Sequence, residues 1–150
     1  MSTRATVREF LATHPGRTSA VWRQSIADRC RGTERWPDPL QIAANLGLTV
    51  ETTDVEGLRF AVVGAVLYVG VHPDPYAVRL RVANAIAQHL LELSNAEWTR
   101  DDVVLLAFML LMPPDLVRAS KPAELARCPY AVPALIETWA EHSAPGPPSF

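Results

Sequence analysis

The chain of 150 residues is poor in cysteine and has no long hydrophobic run. Cys30 and Cys128 lie in unrelated surroundings without a Cys-x-x-Cys spacing, which leaves no basis for a disulfide framework or a structural zinc site. The most apolar runs, FAVVGAVLYVGV and VVLLAFMLLM, are too short to span a membrane, and the first ten residues lack the apolar region of a signal peptide. We therefore expect a reduced, cytoplasmic protein without a membrane partner.

Lysine is almost absent as well, because 13 of the 14 basic residues are arginine. A net charge of -2 argues against nucleic-acid binding by bulk electrostatics. The arginines are concentrated near the N-terminus, however, and form a candidate contact for an acidic surface of a protein or nucleic acid. The candidates are Arg8, Arg17, Arg23, Arg29 and Arg31. Ordinary solvated helix faces explain the same pattern.

Local patterns predict helices, then a small sheet, then further helices. TVREFLATH, SAVWRQSIADRC and DPLQIAANLG are typical of helices, and Asp38 is placed to cap the third. LTVETTD favours a strand, and LRFAVV and AVLYVGV predict a β-hairpin around Gly64. A long helix from about Tyr76 to Leu93 and a helix capped by Thr99 follow. The fold class is therefore α+β, mostly helical with a three-stranded sheet.

The predicted organisation is one compact domain in three parts. Residues 1–36 form N-terminal helices, residues 37–142 form the core, and residues 143–150, SAPGPPSF, form a disordered tail.

Four segments resemble, in order, the ImmA/IrrE family of zincin-like metallopeptidases: DPLQIAANLGLTV, GAVLYVGV, RLRVANAIAQHLL and DDVVLLAFMLLMP. The resemblance covers roughly residues 38–118. Arg79, Ala83, Leu90 and Leu91 are in step with the family's active-site helix, R-x-x-x-A-H-E-x-x-H-x-L-L. The resemblance implies a zincin-like fold.

That resemblance also shows what the chain has lost. In such enzymes two His four residues apart bind Zn²⁺, the Glu between them is the general base, and an acid on the next helix is the third ligand. Here the corresponding residues are Asn84-Ala85-Ile86-Ala87-Gln88, with Asp102 at the third position. Amides are poor zinc ligands and alanine accepts no proton. We therefore expect no catalytic residues, no bound metal and no cofactor.

A polar stripe on the same helix has two interpretations. Arg81, Asn84, Gln88 and Glu92 follow at i, i+3, i+7 and i+11 and share one face. With Asp102 they form either the floor of a cleft for a partner or ligand, or the solvated side of an amphipathic helix. Asp102 also completes a Thr-x-x-Asp helix start, which explains it without a metal.

The sequence thus favours a catalytically inactive, metallopeptidase-like protein that acts as a protein-binding regulatory module. The resemblance implies a partner among transcription regulators, or in a phage, mobile-element or stress-response complex. One alternative is a metal-dependent peptidase with a rearranged site of His72, His89 and Asp102. Another is nucleic-acid binding through the N-terminal arginines.

Overall fold

The structure is a computed structural model, and it describes residues 2–14, 19–32, 38–95 and 97–111. These residues form five helices and three strands, which confirms the α+β class, the helical majority and the three-stranded sheet. In chain order the elements are α1 (Thr3–Thr13), α2 (Ala20–Arg31), α3 (Pro39–Asn45), β1 (Thr49–Thr53), β2 (Phe60–Val63), β3 (Val66–Gly70), α4 (Pro75–Leu93) and α5 (Arg100–Leu111). The helices predicted after Met112 and the tail at 143–150 lie outside the described residues.

The short helix α3 begins and ends where its sequence indicates. The Asp38 carboxylate accepts a hydrogen bond from the Leu40 N–H at 3.0 Å, and Pro39 occupies the first turn. Gly47, just beyond the helix, has a φ of +75°, a conformation that glycine adopts without strain. The predicted cap and the predicted end of this helix are both confirmed.

The sheet has the order β1-β3-β2, so the last strand of the sequence lies in the middle. β2 and β3 are antiparallel and joined by Gly64 and Ala65, with Gly64 at a φ of +60°. A glycine at the first position of a two-residue loop is typical of a type II′ hairpin turn. β1 pairs with β3 in parallel, from Thr49 opposite Val66 to Thr53 opposite Gly70. The predicted hairpin is confirmed.

Helix α4 lies at the centre of the fold and packs against α3, α5, β2 and β3. Three alanines on its buried side let its neighbours approach closely: Ala83, Ala85 and Ala87 are completely buried. The side chains of α1 and α2 join the same hydrophobic cluster as α4, α5 and the sheet. Within the described residues, the N-terminal helices and the remaining elements therefore share one core. None of the described helices combines the length and the apolar character needed to cross a bilayer.

Candidate functional site

A groove runs along the polar side of α4, between the segment that leads into β2 and the start of α5. It consists of two adjoining cavities of about 250 and 510 Å³, which share Arg59, Phe60, Arg100 and Val103. We call it the α4–α5 groove. Its principal residues are Arg59, Phe60, Arg81, Asn84, Gln88 and Arg100.

The structure places three of the four residues of the predicted polar stripe in this groove. Arg81 and Asn84 line the smaller cavity and Gln88 lines the larger one. Glu92 lies one turn further along α4, is exposed, and accepts a hydrogen bond from Gln88 Nε2 at 2.9 Å. The stripe is thus the wall of a recess as well as the polar side of an amphipathic helix.

Arg81 fixes the geometry of the groove by joining α4 to the end of β3. Its guanidinium donates to the carbonyl oxygens of Gly70 at 2.9 Å and Val71 at 3.3 Å. A Cβ atom on Gly70 would lie 2.0 Å from the Leu58 carbonyl oxygen and 3.1 Å from Arg81 Nη1. Only glycine therefore allows the segment before β2 to pass so close to the end of β3.

Asn84 has an unsatisfied polar atom beside the groove. Its side chain lines the smaller cavity, and its Oδ1 is buried with no hydrogen-bond partner among the described residues. A buried acceptor that lacks a partner costs about 1–3 kcal/mol. A ligand N–H would recover that free energy only if the Asn84 side chain turned this oxygen towards the cavity, because the atom is shielded from solvent.

Ala85 does not face the groove, although the family register places the general base at this position. The residue is completely buried in the hydrophobic core and lines neither cavity. The physical reason is the packing over this residue, because rotation about the helix alone leaves residue 85 only about 40–60° from Arg81 and Gln88, and the hydrophobic core covers it. A longer acid here would enter apolar packing.

Asp102 caps α5 and is not among the residues that line the groove, so the structure does not bring it together with Asn84 and Gln88. Its Oδ2 accepts from the Thr99 N–H at 2.8 Å, and its own N–H donates to Thr99 Oγ1 at 3.4 Å. Its Oδ1 forms an ion pair with Arg23 on α2 at 3.4 Å. The predicted Thr-x-x-Asp helix start is confirmed; it uses Oδ2, while Arg23 uses Oδ1.

The alternative site of His72, His89 and Asp102 is not brought together. His72 precedes α4, where its Nδ1 accepts from the Asp74 N–H at 2.9 Å. His89 lies near the other end of α4, about 20 Å further along the axis at 1.5 Å per residue. It lines a separate small cavity beside Arg4 and Arg8, where burial lowers its pKa. No cluster of three or more His, Cys, Asp or Glu with metal-binding geometry occurs in the part of the chain that the structure describes.

Most of the N-terminal arginines are engaged within the protein. Arg23 pairs with Asp102, and Arg31 pairs with Asp28 at 2.9 Å. Arg29 lies over the Phe10 ring, 4.4 Å from its centroid, and donates to the Ser25 carbonyl at 3.0 Å. Arg8 is exposed, and Arg17 lies outside the described residues. Arg23 and Arg29 therefore join α2 to α5 and α1, whereas the Arg31–Asp28 pair lies within α2.

Two groove arginines, Arg59 and Arg100, were not among the sequence candidates. Both are exposed, and neither guanidinium has a hydrogen-bond or ion-pair partner among the described residues. The sequence could have indicated Arg100, because it is the first residue of a helix, where the helix dipole disfavours a cation. An arginine at this position is therefore unusual. No sequence feature could have indicated Arg59, since it follows an ordinary turn. With Arg81 they give the groove three arginines, and no described carboxylate lines it.

No protein-family model, curated protein or solved structure matches this chain. The likeness to the ImmA/IrrE family therefore depends on the four sequence segments alone, and a zincin-like fold stays a prediction.

Proposed function

We propose that this protein is a catalytically inactive, metallopeptidase-like module that binds another protein in the α4–α5 groove. The observation that carries the proposal is the composition of the groove wall. Where the resemblance implies two imidazoles, the chain has Asn84 and Gln88, and guanidinium groups surround them. The resemblance further suggests a cytoplasmic transcription regulator as the partner, in a phage, mobile-element or stress-response complex.

The chemistry of these side chains supports binding rather than zinc-dependent hydrolysis. Amide oxygens are weak ligands for zinc, which prefers imidazole and thiolate. Arg59, Arg81 and Arg100 add positive charge where a divalent cation would have to sit. Ala85 offers no proton acceptor and lies in the core. The acid on the next helix, Asp102, is committed to Thr99 and Arg23.

The shape of the groove supports a ligand-binding role. Its cavities, of about 250 and 510 Å³, are comparable to ligand sites of roughly 300–1,000 Å³. Apolar side chains such as Phe60, Leu80 and Val104 alternate with a few polar groups, the usual composition of a specific binding site.

Affinity capture from the native cell with matched variants tests the proposal. The double variant Arg59→Glu/Arg100→Glu reverses two exposed groove charges, and Arg8→Glu reverses one exposed charge on α1 as the control. We expect the wild type and the control to retain a protein that the groove variant loses. Mass spectrometry should show that this captured protein is intact.

Three results would contradict the proposal. A captured protein that is cut by the wild type would establish catalysis. Loss of binding in Arg8→Glu, with the groove variant unaffected, would move the interface to α1 and favour the N-terminal arginines. Stoichiometric zinc that disappears in His89→Ala would favour the rearranged metallopeptidase.

A further inference from the structure

We propose that the α4–α5 groove binds the C-terminal carboxylate of a peptide chain whose last side chain is apolar. This inference rests on the proposed protein-binding function, and it specifies which part of the partner enters the groove. Three observations carry it: the surplus of guanidinium groups, the unpaired Asn84 oxygen and the apolar wall.

The first observation identifies an anion. Arg59 and Arg100 have no hydrogen-bond or ion-pair partner among the described residues, and both border each of the two cavities. Arg81 adds a third positive charge from α4, while two carbonyl oxygens hold it in place. The planar guanidinium group matches a carboxylate through two parallel hydrogen bonds. No described carboxylate lines the groove, so an anionic occupant would not compete with one for these guanidinium groups.

The second observation distinguishes a peptide terminus from other anions. Asn84 Oδ1 is buried, has no hydrogen-bond partner among the described residues, and needs an N–H donor. In the last residue of a peptide, the amide N–H and the carboxylate are attached to the same Cα atom. A terminus thus presents a donor to Asn84, whose side chain has to turn its oxygen towards the cavity, and an anion to the arginines at once. A phosphate group carries no such N–H.

The third observation concerns the side chain of that last residue. Phe60, Leu80 and Val104 are half-buried and line the smaller cavity together with Val103. Their apolar surfaces would be covered by an aliphatic or aromatic side chain, which is favourable in proportion to the area removed from water. A nucleic-acid backbone would gain nothing from this wall, and it is bound instead by extended rows of cations.

Fluorescence polarisation with labelled peptides tests the inference. The probe is a randomised hexapeptide pool ending in Leu, Val or Phe, prepared with a free C-terminal carboxylate and, separately, as the carboxamide. We expect the carboxylate pool to bind the wild type about 10- to 100-fold more tightly, the factor that a hydrogen-bonded charge supplies. The preference should disappear in Arg59→Gln/Arg100→Gln, remain in part in Arg100→Lys, and stay unchanged in the control Arg8→Gln.

A second comparison tests the role of Asn84. Methylation of the last amide nitrogen removes the N–H, and we expect it to weaken binding to the wild type about tenfold. The same methylation should have little effect in Asn84→Leu, because the acceptor is then gone as well. Circular dichroism and thermal unfolding of each variant establish that it is folded.

Several results would overturn the inference. These are equal affinity for the carboxylate and carboxamide pools, no binding of either pool, or a carboxylate preference that survives removal of both arginines. Tighter binding of inorganic phosphate than of the carboxylate pool would instead assign the groove to phosphate. If the cellular partner is lost from the groove variants while both pools bind equally, only this inference fails. If the pools behave as expected while the groove variants retain the partner, the proposed function fails and the carboxylate site stands.

Discussion

Replacement of Ala85 by glutamate gives the most direct test of the architecture around α4. In an active-site helix of the metallopeptidase type, a glutamate at this position would face an open cleft and be harmless to folding. In the structure the residue is completely buried among apolar side chains. The two situations predict opposite effects on stability.

The expected loss of stability in Ala85→Glu follows from the burial of residue 85. The pKa of a carboxyl group rises by up to about 3–5 units when it is fully buried, and each unit corresponds to 1.36 kcal/mol. At pH 7, a rise from about 4.3 to 7 or above therefore costs about 3–4 kcal/mol. The added side-chain volume costs about 1–3 kcal/mol more. The total, about 4–7 kcal/mol, is comparable to the whole stability of many domains.

The pH dependence has a defined sign. Because the pKa of a glutamate at position 85 is raised by folding, the folded variant retains its proton when the unfolded chain has lost it. The variant is therefore most stable below about pH 4.3, and it loses stability as the pH rises towards the folded-state pKa. Urea denaturation monitored by circular dichroism at pH 7 and pH 4.5 measures this, with the wild type measured at both pH values as the reference.

Ala77→Glu is the matched control on the same helix. Ala77 is half-buried in the first turn of α4, where an acid is favourable beside the helix dipole. We expect a change within about 0.5 kcal/mol. If Ala85→Glu is as stable as Ala77→Glu at pH 7, residue 85 faces solvent and the packing of α4 described here is wrong. If Ala85→Glu is unfolded at pH 7, recovery of its folded state at pH 4.5, compared with the wild type at both pH values, supports the same packing.

Three further changes test other parts of the structure. Gly70→Ala should lower the free energy of unfolding by about 1–3 kcal/mol, because the new Cβ would meet the Leu58 carbonyl at 2.0 Å. Urea denaturation measures this loss. Unchanged stability would contradict the close approach of the two segments. Asp102→Ala removes a helix cap and an ion pair and should lower the free energy of unfolding by about 1–3 kcal/mol in the same urea assay. An unchanged free energy of unfolding would show that α5 does not depend on this cap. Burial lowers the pKa of His89, so the wild type should lose stability as the pH falls from about 6.5 through the folded-state pKa. His89→Gln should flatten that part of the pH profile of thermal unfolding, and an unchanged profile in His89→Gln would refute the assignment.

Local chemistry made the secondary structure predictable. The Asp38 cap, the Gly64 turn and the Thr99 helix start are each decided by a few neighbouring residues, and each is confirmed. The same local reasoning explained Asp102 correctly as a cap. The family register also assigned Asp102 a place in the cleft, and the residue is not among those that line the groove.

The groove could not be predicted in the same way, because its charged groups come from separate parts of the chain. Arg59 precedes β2, Arg81 lies on α4 and Arg100 begins α5, so only the tertiary fold brings them together. The burial of Ala85 could not be predicted from the sequence either. The helical pattern shows which residues share a face, but not which face α5 and the sheet cover.

The order of the strands has a consequence for the growing chain. Among the described strands β1 pairs only with β3, so it cannot join the sheet until β3 is in place. The β2–β3 hairpin closes locally, whereas β1 has to wait with its backbone N–H and C=O groups exposed to water or to other chains. A chain truncated before residue 66 would therefore carry two strands, β1 and β2, without the central strand that pairs with both, and their free edges could pair with other chains.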